Sequence, residues 1–193
     1  GTFLDAGSTF NYEYLLNHPQ LLKKYIFIHT YSPESPNFNH KRISYIYGDL
    51  RELPYKDNLF DEIVSQSTIE HIDMNNSLYG YDIQYTSNKK SYDYLKAVTE
   101  MVRVLKHGGQ LLITFPFGKY EHHGFFQQFD EEMYKRLIDV LIDLGRVKTD
   151  FFRYQKSGWS FGLMNEMSDI VSYNPHTNQG KLDDGAAHCR SIA

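Results

Sequence analysis

The feature that most constrains the fold is the alternation of short apolar runs with helix-like segments. Five runs of β-branched and aromatic residues, each bounded by turn residues, predict β-strands at Thr2–Asp5, Tyr25–Thr30, Ile43–Tyr47, Glu62–Ser65 and Gln110–Phe115. Strands that alternate with helices are typical of a mostly parallel sheet covered on both faces. The 193 residues suit one domain of this type. We therefore predict a single doubly wound α/β domain over residues 1–193.

Three segments have helical patterns. The stretch Tyr92–Lys106 has apolar residues at i, i+3 and i+4 spacing, and His107-Gly108-Gly109 is expected to end that helix. A helix over Asp130–Leu144 begins with an acidic turn and ends before Gly145. A shorter helix, Phe10–Asn17, has Asn11 or Thr9 as its expected cap.

The last fifty residues break this pattern. Val147–Tyr154 and Ala186–Ile192 have the composition of strands, and the segment Gln155–Gly185 between them is long and polar. A second long connection covers Asp73–Ser91. Long connections are often functional, so both are candidates to flank a binding site.

Composition excludes several classes of protein. The net charge of −4 and the lack of a basic run argue against nucleic acid, and no apolar stretch approaches the ~20 residues of a membrane span. The lone Cys189 permits no internal disulfide and favours a reducing, cytoplasmic location. The chain opens on Gly1 directly before a strand, so we expect a processed or trimmed piece, truncated at one or both ends.

In an open α/β sheet, ligands bind beyond the carboxyl ends of the strands. The predicted strands are followed by Asp5-Ala6-Gly7-Ser8-Thr9, by Gly48-Asp49 and by Ser65-Gln66-Ser67-Thr68, all small or polar segments. Gly7 permits a tight turn close to a ligand. An ordinary strand-to-helix connection explains the first segment equally well.

The order of these blocks carries a family resemblance. The arrangement "LDAGS…GDLRELPYKDNLFDEIVSQSTIEHI…EMVRVLKHGGQLLITFPFG" resembles the class I S-adenosylmethionine-dependent methyltransferases over about Leu4 to Gly118. Within that family it looks most like the branch that modifies small molecules and glycans. The resemblance implies a Rossmann-like sheet with an antiparallel C-terminal hairpin, formed by the two terminal strands at the sheet edge.

The resemblance also implies site residues. Asp5, Ala6, Gly7 and Ser8 would lie beside the methionine part of S-adenosylmethionine, and Asp49 with Leu50 would meet its adenine. The backbone of Ser65, Gln66 and Ser67 would line the methionine and ribose side, with Thr30 beside the ribose. Glu100, Arg103 and Gly108-Gly109 would be structural.

Two positions depart from the family's pattern. Thr9 stands where a second glycine is usual, and a β-branched side chain disfavours positive φ. Thr30 stands where an acid usually holds the ribose hydroxyls, although Glu34 lies close in sequence. Losing such a charged hydrogen bond costs about 1.5–3 kcal/mol, or about ten- to a hundredfold in affinity.

Candidate catalytic groups follow the fourth and fifth strands. His71 in "IEHI" is placed to accept a proton from a hydroxyl acceptor, since an ordinary histidine pKa near 6.5 suits a general base. A histidine bonded to the backbone is the competing interpretation. His123 is the second candidate base. Its neighbours Glu121 and His122 do not form a metal-binding spacing, so we predict no metal.

The sequence therefore leads to one preferred function and two alternatives. The preferred function is methyl transfer from S-adenosylmethionine to a small molecule or a sugar of a surface glycan. The runner-up is a methyltransferase-like domain that has lost catalysis and acts as a binding or scaffold module, which Thr9 and Thr30 motivate. A nicotinamide-dependent oxidoreductase is disfavoured, because no G-x-G-x-x-G follows the first strand.

Overall fold

The fold is centred on a five-stranded parallel sheet. The structure is a computed structural model that describes residues 1–31, 37–79, 89–155, 157–174, 177–178 and 189–193. The sheet contains β1 (Thr2–Ala6), β2 (Tyr25–Thr30), β3 (Ile43–Tyr47), β4 (Phe60–Gln66) and β5 (Leu105–Thr114). All neighbouring pairs are parallel, in the order β3-β2-β1-β4-β5. The predicted doubly wound, Rossmann-like sheet is confirmed.

The alternation of side chains along the strands creates two apolar clusters, one on each face. Leu4 of β1 and Ile63 of β4 belong to the larger cluster, whereas their neighbours Phe3 and Val64 belong to the smaller one. This period of two is the geometry of an extended strand. Both faces of the central strands are therefore buried, as the prediction required.

The described residues contain three α-helices, which accompany the sheet: α1 (Glu13–Leu16), α2 (Tyr94–Val104) and α3 (Glu131–Ile142). The described residues between β2 and β3, and between β3 and β4, contain no helix, so the alternation is less regular than predicted. For α3 the expected acidic start is confirmed, because the Asp130 side chain accepts a hydrogen bond from Met133 N.

The first predicted helix, Phe10–Asn17, was too long. The backbone N–H groups of Thr9 and Phe10 donate to the Asp5 carboxylate at 3.1 and 2.8 Å, which holds them in a turn. Asn11 is buried and accepts a hydrogen bond from the Tyr45 hydroxyl, so its side chain caps no helix. Tyr12 is the N-cap instead, and its side chain makes no capping hydrogen bond to the helix.

The prediction that His107-Gly108-Gly109 ends the second helix was wrong. The helix ends at Val104, because Asn58 N and Leu59 N donate to the carbonyls of Arg103 and Val104. Strand β5 starts at Leu105, five residues earlier than predicted. The glycines lie inside this strand at an irregular register, with Gly108 at φ +76°. They form a bulge opposite Phe60–Glu62.

The C-terminal region forms a separate antiparallel sheet with the order β10-β8-β9. It contains β8 (Phe151–Gln155), β9 (Gly158–Gly162) and β10 (Ser191–Ile192). The predicted strand Val147–Tyr154 thus begins later than expected, and β9 falls in a segment expected to be a loop. Of the predicted strand Ala186–Ile192, residues 186–188 lie outside the described residues. The antiparallel C-terminal hairpin itself is confirmed.

The small sheet contacts the large one at the edge formed by β5. Phe115 and Ala193 exchange backbone hydrogen bonds of 3.1 and 3.2 Å, and Phe117 N donates to Ser191 O. Two short strands, β6 (Glu121–His122) and β7 (Gln127–Gln128), form a third antiparallel pair before α3. This pair places His123 in the turn between its strands.

Two residues that the family resemblance made structural have that role. The Arg103 guanidinium donates to the carbonyls of Leu53 and Tyr55 and pairs with Glu100, which in turn accepts from Leu53 N. The side chains of α2 thereby fix the connection between β3 and β4. That connection carries the segment after Asp49, so helix packing positions one wall of the site.

Candidate functional site

A cavity opens at the carboxyl ends of the parallel strands. Strand order reverses between β1 and β4, which is where ligands bind in open α/β sheets. The cavity encloses about 590 Å³ of empty space, part of it open to solvent. Four strand ends and the segment after β4 supply its lining: Gly7, Thr30, Tyr31, Gly48, Leu50, Ser67, Thr68, His71, Ile72, Asn76 and Tyr79.

The loop after β1 is shaped by Gly7 and Asp5. Gly7 has φ +126°, and a Cβ at this position would collide with the Thr68 side chain. Asp5 is fully buried and accepts from two backbone N–H groups of the loop. Asp5 thus fixes the loop, and the backbone of Gly7 faces the cavity. Ala6 and Ser8 flank Gly7 outside the lining.

Thr9 is accommodated without a glycine. Positive φ falls at Gly7 and Ser8, and Thr9 is not among the residues with positive φ. The Thr9 hydroxyl donates to Gln66 O at 2.9 Å, and the Thr68 hydroxyl donates to the same carbonyl at 3.0 Å. The Thr9 bond joins the loop after β1 to the end of β4, so Thr9 links the two segments without backbone strain.

The ends of β2 and β3 form the opposite wall. Thr30 lines the cavity, and Glu34 lies outside the described residues. Gly48 and Leu50 line it, with Asp49 between them. Burial alone would raise the pKa of Asp49, but hydrogen bonds from the Arg51 side chain and backbone outweigh burial and lower that pKa. Asp49 is therefore an ionised acceptor beside the cavity.

A buried histidine supports the end of β2. His29 lies beneath Gly48, and its Nδ1 is 3.2 Å from the Tyr55 hydroxyl. Burial lowers the pKa of His29, so the ring is neutral near pH 7. It packs under the site without adding a charge.

The end of β4 contributes backbone and hydroxyl groups. Ser67 has φ +49° and donates its N–H to Thr114 O, which ties the end of β4 to β5. Ser65 is buried and Gln66 is exposed, and neither lines the cavity. The hydroxyls of Ser8 and Ser65 are buried and have no hydrogen-bond partner among the described residues.

The two predicted catalytic histidines lie in different places. His71 lines the cavity, and its Nδ1 is 2.7 Å from Phe125 O. A carbonyl only accepts, so Nδ1 carries the proton and Nε2 is the basic atom of the neutral ring. His123 lies outside the lining, stacks on Phe126 at 4.5 Å and has Nε2 3.5 Å from a Glu121 carboxylate oxygen.

The structure therefore brings Gly7, Thr30, Leu50 and His71 together around one cavity. The other predicted site residues flank it or, like His123, lie apart from it: Asp5, Ala6, Ser8, Asp49, Ser65, Gln66 and His123. Sequence reasoning missed Tyr31, Ile72, Asn76 and Tyr79. Position directly after a strand was the available signal for Tyr31, whereas nothing local marked the other three.

The comparisons with known proteins agree with this geometry. Residues 28–113, which include the ends of β2, β3 and β4, match the family model described as "Methyltransferase domain". This part of the chain is similar to that family of domains. A search of curated protein sequences found no match.

Solved structures identify the fold. An S-adenosylmethionine-dependent methyltransferase from Methanosarcina mazei is 16% identical, with a TM-score of 0.52, and covers 83% of this chain and 87% of its own. An inferred methyltransferase from Bacillus halodurans C-125 is 14% identical, with a TM-score of 0.53 and coverages of 99% and 89%. The fold is thus that of the S-adenosylmethionine-dependent methyltransferases.

A third structure was determined with its ligands. The 1,6-didemethyltoxoflavin-N1-methyltransferase of Burkholderia thailandensis, bound to 1,6-didemethyltoxoflavin and S-adenosylhomocysteine, is 14% identical with a TM-score of 0.52, covering 83% and 67% of the two chains. The chain spans only 52%, 56% and 60% of three further structures that it matches.

The described residues contain no group of three or more His, Cys, Asp or Glu arranged to hold a metal ion. Within the same residues, no helix has the length and apolar character needed to cross a membrane.

Proposed function

We propose that the chain is the catalytic domain of an S-adenosylmethionine-dependent methyltransferase. The proposal rests on the cavity at the point where strand order reverses, between β1 and β4. The Gly7 loop, the ionised Asp49 and His71, whose tautomer is fixed, all lie at this cavity. Ligand binding at this position is the rule for the fold. The matched methyltransferase domain covers three of the four strand ends involved.

The residues present fit the cofactor. Gly7 and Gly48 line the cavity with backbone atoms and no side chain. The hydroxyls of Ser8 and Ser65, which have no hydrogen-bond partner within the described part of the chain, lie in the segments that form its rim. Gly7, Ser67 and Thr68 would hold the methionine side, with Asp49 and Leu50 at the adenine. Thr30 would meet the ribose with one hydroxyl instead of a carboxylate, which predicts weaker binding.

His71 is the proposed general base. S-adenosylmethionine supplies an electrophilic methyl group when bound. The chain's own contribution is to orient the acceptor, exclude water and remove a proton. Phe125 O holds the Nδ1 proton of His71, so Nε2 is the atom that takes the acceptor's proton. His123 remains the second candidate base. Because it lies outside the cavity lining, we assign it contact with the substrate and not removal of the proton.

The proposed acceptor is a small molecule or a sugar of a surface glycan. The polar side chains of Asn76, Tyr79 and His71 line the cavity and suit a hydroxylated acceptor. The net charge of −4 favours such an acceptor over nucleic acid. The cytoplasmic location that a single cysteine favours stays part of this proposal.

Calorimetry with S-adenosylmethionine and S-adenosylhomocysteine tests the cofactor assignment. We expect micromolar to millimolar binding, weakened about tenfold or more in Asp49→Ala, because the variant loses a charged acceptor. Lack of binding at millimolar cofactor, with Asp49→Ala indistinguishable from the wild type, would remove the proposal. Transfer of a labelled methyl group to a panel of small hydroxylated molecules and sugars would then identify the acceptor class.

The second candidate function is a domain that has lost catalysis and acts as a binding or scaffold module. Thr30, which replaces a carboxylate at the end of β2, is the observation that favours it. This candidate predicts that S-adenosylhomocysteine binds weakly or not at all and that no acceptor is methylated. The same calorimetry and transfer assay distinguish the two.

A further inference from the structure

Arg51 lies among three carboxylates that come from three different segments. Its Nη2 and Nε are 2.7 and 3.0 Å from Asp49 Oδ2, its Nη1 is 2.8 Å from Asp93 Oδ2, and Asp73 Oδ1 is 3.9 Å from the same Nη1. Asp49 follows β3, Asp93 precedes α2, and Asp73 comes two residues after His71. The Arg51 side chain is only 22% exposed. Arg51 and the three carboxylates therefore form a half-buried cluster of ion pairs and not a surface ion pair.

The contact with Asp49 fixes the orientation of that carboxylate. Arg51 grips it with a fork of side-chain nitrogens, and the Arg51 backbone N–H adds a bond of 2.8 Å to Oδ1. A carboxylate offers about four acceptor positions, so Arg51 determines which edge is left for a ligand. The Tyr31 hydroxyl also hydrogen-bonds Asp49, and Tyr31 lines the cavity. The contact with Tyr31 places the Asp49 carboxylate next to the cavity.

The contacts with Asp73 and Asp93 reach the opposite wall. Asp73 has φ +59° and accepts from the Ser91 hydroxyl at 2.8 Å, and that hydroxyl accepts from Asp93 N. Asp73 lies between His71 and Asn76, which both line the cavity. Lys96 pairs with Asp93, but without the guanidinium the three neighbouring carboxylates would repel one another. Their repulsion would destabilise both the segment that carries Asp49 and the segment that carries Asp73.

We propose that Arg51 is a positioning residue that orients Asp49 toward the adenine of the cofactor and couples it to the acceptor segment 71–79. The inference rests on the proposed function, because it assumes that Asp49 meets the adenine. Binding of the cofactor would then also stabilise the segment 71–79, which contains His71. Lysine cannot replace arginine here, since an ammonium has no planar fork.

Titration with S-adenosylhomocysteine tests whether Arg51 orients Asp49 for cofactor binding. We expect Arg51→Met to weaken binding about tenfold, as loss of one hydrogen bond to a charged group does, and Arg51→Lys to recover little of it. The Asp49→Asn/Arg51→Met double variant should bind no more weakly than the weaker single variant, because both act through one carboxylate. Arg136→Met, which breaks the exposed pair with Glu132 on α3, is the matched control.

Hydrogen exchange tests the coupling. Saturating S-adenosylhomocysteine should slow amide exchange in residues 48–50 and 71–79 of the wild type. In Arg51→Met at saturation, residues 48–50 should stay protected while 71–79 lose protection. Wild-type protection of both segments in the variant, or equal loss in both, overturns the inference, as does binding within twofold of wild type. If the wild type itself binds no S-adenosylhomocysteine, the proposed function fails instead.

Discussion

At the scale of single residues, Glu70 is an acid in a place that favours its neutral form. It is 4% exposed beside His71, and its Oε2 has no hydrogen-bond partner among the described residues. Burial raises the pKa of Glu70 to about 8, against 4.5 for the ordinary group. The folded protein therefore keeps a proton that the unfolded chain releases above pH 4.5. The free energy of unfolding should fall as pH rises from about 4.5 to 8.

Glu70→Gln removes this dependence. We expect the variant to gain about 1–3 kcal/mol relative to wild type between pH 5.5 and pH 8, since a neutral amide has no proton to lose. Urea denaturation at the two pH values measures the difference. Glu13→Gln, at an exposed position, is the control. Identical pH dependence in Glu70→Gln and wild type would contradict the prediction.

His71 and His123 are distinguished by how they affect catalysis. With an acceptor from the transfer assay, His71→Gln should lower kcat about 100-fold or more while S-adenosylhomocysteine affinity stays within threefold, because a base acts on the acceptor's proton. His123→Gln should alter KM more than kcat. His18→Gln, at an exposed position, is the control. A kcat that depends on His123 and not on His71 would reverse the assignment.

At the scale of elements, the start of α3 depends on one cap. The Asp130 carboxylate accepts from Met133 N at 3.0 Å and pairs with Lys90. Asp130→Ala should lower the free energy of unfolding by about 0.5–2 kcal/mol, whereas Asp130→Asn keeps the cap and should lose less. Chemical denaturation of both variants separates cap from charge. Equal losses would show that the ion pair with Lys90 matters and the cap does not.

Elements whose signals are local were predictable from the sequence. The strands β1 to β4 and helix α3 agree with prediction within two residues, because apolar periodicity and caps act over short distances. The end of α2 was not predictable, since it depends on Asn58 and Leu59 more than 40 residues away. Strand β9 was missed because Trp159 and Phe161 are both exposed, so its sequence lacks a buried face.

The site likewise contains residues that were predictable from the sequence and residues that were not. Gly7, Thr30 and Leu50 follow strands, and position alone places them at the cavity. The roles of Thr9 and Arg51 could not be read from sequence, because both depend on contacts between segments. Thr9 donates a hydrogen bond to Gln66 O at the end of β4. Arg51 forms ion pairs with the carboxylates at positions 49, 73 and 93. Such contacts leave no periodic pattern in the chain.

At the scale of the whole molecule, the two apolar clusters share the strands β1 and β4 as their common wall. Leu4 and Ile63 face one cluster and Phe3 and Val64 the other, so neither can open without exposing the same strands. The small sheet joins this unit through Phe115 and Ala193. We therefore expect residues 1–193 to unfold as one cooperative domain.

Two probes on different sheets test this expectation. Trp159, the only tryptophan, reports on β9 by fluorescence, and far-ultraviolet circular dichroism reports mainly on the large sheet and helices. Their urea transitions should coincide. Ile28→Ala in the smaller cluster and Leu137→Ala in the larger one should each move both probes together, by about 2–5 kcal/mol. If Trp159 fluorescence changes at lower urea than the dichroism, the small sheet unfolds separately, and the chain is two units and not one.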